Sequence, residues 1–215
     1  MNLHAIGITI WRYWIEGGVL LAPIALVALG IWGYLLTLRG GLRDDVRGAR
    51  RAAAALDAML NARAPKKETL QVLENHPDRV SRDVAEVLRT EGSHAAARRH
   101  FEALSDRGLG RLERDLFVLK ALTAAAPLLG LLGTVTGMVA TFAAVAGQGM
   151  SDPGWIARGI RSALITTQYG LVAALPGVFG LLHLGRLRSQ YVRSQGAIGM
   201  MLYVAFKSKA GRSDV

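Results

Sequence analysis

Three stretches of this chain, residues 17–38, 121–147 and 162–185, contain no Asp, Glu, Lys or Arg and are dominated by apolar and small residues. Each reaches the roughly 20 residues that an α-helix needs to cross the hydrocarbon core of a bilayer. Lipid offers backbone amides no partner, so a run of this length must satisfy its hydrogen bonds internally, as a helix does. The expected fold class is therefore an all-α membrane protein with three transmembrane helices.

Charge orients the spans. One Lys or Arg precedes residue 17, seventeen fall in 39–120, two in 148–161 and six from 186 onward. Positive residues close to span ends stay on the cytoplasmic side. Arg39, Arg43, Arg47, Arg50 and Arg51 after the first span, with Arg111, Arg114 and Lys120 before the second, thus place the long loop and the tail inside and the amino terminus outside. A formal net charge of +10 in another arrangement would suggest nucleic acid. Here the cations flank apolar blocks, and no nucleic-acid partner is expected. With no cysteine present, disulfides and thiolate metal sites are excluded.

Residues 1–16 carry Trp11, Tyr13 and Trp14 around one arginine, as in a short amphipathic segment at the outer interface. The weakly charged start and long apolar block that follows read as an uncleaved first span rather than a signal peptide. Pro23 lies near the outer end of that span, where a missing amide donor is tolerable, and Trp32 and Tyr34 are anchors near the inner end. Residues 39–120 mix charge with recurring Ala, Leu and Val. They read as amphipathic helices over VRGARRAAAALDAML, ETLQVLENH and a long run from about Arg79 toward Lys120, punctuated at Ala64-Pro65 and His76-Pro77. Leu104, Leu109, Leu112, Leu116 and Leu119 form a stripe that would carry the last run into the second span as one helix, against the local cost of Gly92, Gly108 and Gly110. The turn residues Asp152-Pro153-Gly154 make the second and third spans an antiparallel hairpin with Trp155 as an anchor. Gly147-Gln148-Gly149 has no preceding strand and is not a nucleotide loop.

Two intramembrane patches stand out. In Pro127–Thr141, PLLGLLGTVTGMVAT, helical spacing puts Gly130, Thr134, Gly137 and Thr141 near one face, a lining or a packing face. In the third span Thr166, Thr167 and Gln168 lie within the membrane, as a polar path or as cross-helix glue. Pro176 removes a helix hydrogen bond midway along, and His183 has no metal partners nearby in sequence. No nucleophile, acid/base pair or metal cluster occurs at credible spacing, so an enzyme is not expected. The spans also lack a carboxylate. Hydroxyls line a proton path but do not titrate near neutral pH, so a proton carrier built on this chain needs its acid from a partner.

These residues together resemble the MotA/TolQ/ExbB proton-channel family, most nearly its ExbB/TolQ branch. The likeness covers most of the chain: three spans with the amino terminus outside, a long cytoplasmic loop after the first, LERDLFVLKALTAAAPLLGLLGTVTGM leading into the second, and GIRSALITTQYGLVAALPG in the third. The resemblance implies a homopentamer in a bacterial inner membrane, its second and third spans surrounding two single-span helices of an ExbD/TolR-like partner that each bring an aspartate. Protons would be the coupling ion, without a further cofactor, and a TonB-like or TolA-like transducer would carry the work toward the outer membrane. Residues 1–16 and the hairpin 148–161 would then be periplasmic, and 39–120 and 186–215 cytoplasmic.

By the same resemblance Thr134 and Thr167 match the family's pore hydroxyls, with Thr166 and Thr141 beside them. Pro127, Gly130, Gly133, Gly137, Gly170 and Pro176 serve helix packing. Ser162 and Arg161 stand at the periplasmic mouth, Ser162 at a position where that branch often carries a glutamate. Two rivals remain open at the level of sequence. A flagellar-type stator usually carries four spans and a larger cytoplasmic domain, and a passive scaffold of small-residue packing predicts no dependence on membrane potential.

Overall fold

The computed structural model describes residues 20–61, 64–76, 78–89, 94–148 and 153–210. They form α1 (Leu21–Asn61), α2 (Lys66–Glu74), α3 (Arg79–Arg89), α4 (His94–Gln148) and α5 (Pro153–Ala210), with no strand among the described residues. The expected amphipathic segment at 1–16 lies outside them, as do Gly92 and Gly149. Helices α1, α4 and α5 are each long and apolar enough to cross a membrane.

The helices run well past the apolar blocks. α1 continues from its span through Gly40 and Gly41 and takes in VRGARRAAAALDAML, although each interior glycine costs about 1 kcal/mol in helix propensity. The compensation is a continuous buried stripe of Leu38, Leu42, Val46, Ala49, Ala52 and Leu56, at the three- and four-residue spacing of one helix face. Pro23 sits in the first turn, where the Ile24 amide already reaches back to the Leu20 carbonyl at 3.4 Å. The long run expected from Arg79 to Lys120 is two helices, α3 ending at Arg89 and α4 starting at His94. From there α4 continues unbroken through Gly108, Gly110 and Pro127.

The chain divides into two compact units. The first comprises residues up to Leu35 together with Phe117–Leu181. Within it the start of α1 packs with Leu35 against Gly180 of α5, and Leu122 of α4 lies 3.5 Å from where a Cβ on Gly30 would stand. Its outer surface is apolar, with Leu26, Leu29, Leu128, Val139, Phe142 and Phe179 all more than 60% exposed. That surface suits lipid or neighbouring helices rather than water.

The second unit comprises Leu36–Leu116 and residues from Leu182 onward. Its core is large and aliphatic: Leu56, Leu73, Val84, Leu184, Ile198 and Leu202 are all at most 2% exposed. Helix α3 buries Val80, Val84, Val87 and Leu88 and turns Arg82, Glu86 and Arg89 outward. Asp78 caps its start, accepting the Ser81 amide at 2.9 Å. Pro65 opens α2, its carbonyl accepting the Glu68 and Thr69 amides, and Arg89 bonds Glu74 at 2.6 Å to tie α3 to α2.

Candidate functional site

In the first unit α4 and α5 form an antiparallel hairpin whose seam is made of glycine, alanine and threonine. The closest approach is Gly130 to Gly170: a Cβ on Gly170 would stand 2.7 Å from the Ala126 carbonyl oxygen and 3.0 Å from Gly130 Cα. A Cβ on Gly130 would stand 3.0 Å from both the Thr166 carbonyl oxygen and Thr167 Cα. No side chain fits there, so the backbones touch, as small residues permit where helices have no hydrophobic drive to associate in lipid.

Either side of that crossing, threonines act as knobs and glycines as holes. Thr123 fills the notch at Gly177, Thr141 that at Gly159, and Thr166 that at Gly133, while Ala163 lies against Gly137. Each knob satisfies its hydroxyl on its own helix: Thr123 donates to Leu119 O at 2.7 Å, Thr141 to Gly137 O at 2.8 Å and Thr166 to Ala163 O at 2.7 Å. Thr166 is 3% exposed. Its side chain packs against Gly133, and its hydroxyl is directed at backbone carbonyls.

Thr167 and Thr134 differ. Thr167, half-buried, donates across the seam to the Gly130 carbonyl at 3.2 Å. That carbonyl is open to a second helix because Gly130 has no side chain to cover it. Thr134 is one turn beyond Gly130 on α4 and flanks the seam rather than filling it. It stays half-exposed, its hydroxyl bonded to Leu131 O at 2.7 Å. A back-bonded threonine keeps both oxygen lone pairs outward, so Thr134 presents an acceptor at the hairpin surface.

Of the residues singled out from sequence, the structure brings together Gly130, Gly133, Thr166, Thr167 and Gly170, and separately Gly137 and Thr141 with the amino-terminal part of α5. Pro127 and Pro176 are both half-buried within their helices. Their missing amides free the carbonyls four residues back, at Thr123 and Val172. Ser162 is half-buried and Arg161 exposed. Arg161 and Gln168 border an open groove beside α5 with Ile160 and Leu164. Reading the sequence alone missed Thr123, Gly159, Ala163 and Gly177. The signal was there as three- and four-residue spacing of small residues on both helices, but without the partner helix nothing marks which small residues share the seam.

The sequence of this region has relatives. Residues 56–195 match the model of the MotA/TolQ/ExbB proton channel family. The chain belongs to that family. Within the MotA/TolQ/ExbB family its relatives point to the ExbB/TolQ branch. It is 31% identical over 78% of its length to a biopolymer transport protein ExbB homolog of Methanothermobacter thermautotrophicus, covering 60% of that protein. It is 30% identical over 62% of its length to the biopolymer transport protein ExbB of Pseudomonas putida, covering 44%. It is 37% identical over 34% of its length to the Tol-Pal system protein TolQ of Haemophilus influenzae, covering 32%. The chain thus spans less than two thirds of each of these relatives. The family is one of proton channels rather than enzymes, and with three apolar helices the chain is a multi-pass membrane protein.

Proposed function

We propose that this chain is the wall-forming subunit of an inner-membrane proton channel whose titrating acid is supplied by a second protein. A single observation carries the reading: the α4–α5 hairpin presents the Thr134 hydroxyl at its surface and closes Thr167 onto the Gly130 carbonyl in a stretch where residues 121–147 and 162–185 hold no carboxylate. Such a wall accepts and passes hydrogen bonds but does not itself exchange a proton near neutral pH. An aspartate on an ExbD/TolR-like single-span partner would complete the path. Thr134 would offer its outward lone pairs to that carboxyl or to a water bound to it, and Thr167 would hold the seam and the Gly130 carbonyl in place.

The apolar exterior of the first unit supports assembly with further copies, for which we propose a homopentamer around the partner helices. The names of the relatives, biopolymer transport and Tol-Pal, support coupling of proton flow to work delivered to a TonB-like or TolA-like transducer for outer-membrane transport or integrity. The amino terminus would be periplasmic and the carboxy terminus cytoplasmic, on the charge distribution.

The test is proton flux through vesicles containing the chain co-purified with its partner. Thr134→Val keeps shape and removes the acceptor. If one hydrogen bond of about 1 kcal/mol is lost from the rate-determining barrier, flux falls about fivefold with assembly intact. Unchanged flux with normal assembly removes Thr134 from the path. Imaging of the same preparation should show five copies around two foreign helices, and a lone monomer would undo the reading.

A further inference from the structure

The second unit holds a polar cluster that the proton path does not use. Where α3 begins, the dipeptide Asp78-Arg79 is wedged among three long helices. The Asp78 carboxylate occupies a notch at Gly48 of α1, and the Arg79 guanidinium one at Gly108 of α4. On a third side Arg79 Nη2 donates to the hydroxyl of Tyr191 on α5 at 3.0 Å, and Tyr191 is 1% exposed. Any side chain at Gly48 or Gly108 would displace this wedge.

The charges around it do not balance. Asp78 is accounted for, holding the Ser81 amide and lying 3.5 Å from Arg51 of α1. Arg79, by contrast, pairs loosely with one carboxylate and feels a second at longer range. Asp83, one turn along α3, lies 3.9 Å from its Nε, too far for a hydrogen bond, and that buried Nε has no hydrogen-bond partner. Asp45 of α1 is also within electrostatic reach. Around them are Asp44 and Arg47 of α1, 3.9 Å apart, Arg82 and Glu86 of α3, and His100 of α4, 3.2 Å from Glu86. With both acids ionised, Arg79, Asp45 and Asp83 together carry one excess negative charge. One proton neutralises it.

We propose that this wedge is a proton-operated catch, in which proton uptake by the Asp45–Asp83 pair tightens α3 against α1, α4 and α5 and proton loss slackens it. Burial pushes the carboxyls of both Asp45 and Asp83 above their ordinary range, Arg79 opposing it in each case. Arg79 keeps its charge: burial works against it, but Tyr191, Asp45 and Asp83 together outweigh burial. The sign follows by linkage. An acid whose affinity for protons is raised in the docked state stabilises docking below its undocked pKa, and that stabilisation is lost as pH rises through the docked value. The docked α3 is therefore firmer on the acid side.

Hydrogen–deuterium exchange of α3 amides in the full chain in detergent micelles, corrected for intrinsic rates, reads this directly. A His100→Gln background removes the imidazole beside Glu86. Protection of α3 should rise severalfold between about pH 7 and about pH 4, up to about tenfold per unit of upward pKa displacement. In Asp45→Asn with Asp83→Asn, α3 should stay at the acid level of protection throughout. Arg79→Gln should move the rise to higher pH, because the guanidinium is what holds the carboxyls down, and a merely structural wedge would show no such displacement. Should Arg79→Gln fail to fold, the single variants Asp45→Asn and Asp83→Asn must each shrink the rise. A rise that survives unchanged in the double variant, or protection independent of pH in the parent chain, overturns the proposal.

Discussion

Helix α5 carries one buried seam along its length, and its composition changes completely between the two units. In the first unit the seam reads Ala163, Thr166, Gly170, Ala174 and Gly177; in the second it reads Leu184, Tyr191, Ile198, Leu202 and Phe206. The first set is spaced by three and four residues and the second by four and seven, one or two helical turns, so both lie along one face of the helix. The difference reflects what each seam excludes. Against lipid, burying a large apolar side chain gains little, because lipid is as apolar as leucine, and stability comes from backbones in contact and hydroxyls closed onto carbonyls. Where the chain carries its charges, large side chains repay burial through the hydrophobic effect and polar groups survive inside only with partners.

Substitutions that cross between these two regimes test that contrast. The largest effect should come from Leu202→Ala, which empties a fully buried site in the second unit and should cost about 3 kcal/mol in thermal or denaturant unfolding in detergent. A loss under about 1 kcal/mol would mean this seam is not a packed core. In the first unit enlargement should hurt instead. Gly170→Ala places a methyl against the Ala126 carbonyl oxygen and Gly130 Cα, and overpacking by about 2 kcal/mol should appear as lowered thermal stability of the hairpin. Smallest, and opposite in sign, is Gly110→Ala in α4. That glycine is exposed with open space where a Cβ would go, so the chain should gain up to about 1 kcal/mol from helix propensity. Alanine effects of the same sign at 170 and 110 would break the distinction.

The sequence makes the spans plain because hydropathy depends only on composition within a window. It also makes the hairpin plain, because Asp152-Pro153-Gly154 leaves a short connection between two apolar blocks. It does not show that α1 runs through Gly40-Gly41, since what holds that segment helical is the burial of Leu38, Leu42 and Val46 against distant parts of the chain. Nor does it show where the seam lies. Thr134 and Thr123 look alike in sequence, and only the partner helix decides that one flanks and the other fills a notch. The wedge is the least visible: Arg79 and Tyr191 are 112 residues apart, and no local pattern links them.

The three threonine knobs have a mechanical consequence. Two point from α4 into α5, at Gly177 and Gly159, and one points from α5 into α4, at Gly133. They sit at different heights along the hairpin and interlock in both directions, so sliding either helix along the other drives a hydroxyl into backbone. The hairpin behaves as a bolted strut and not as a bearing. In the assembly proposed above, a working stroke would then be taken up outside this seam, with each hairpin moving as one piece.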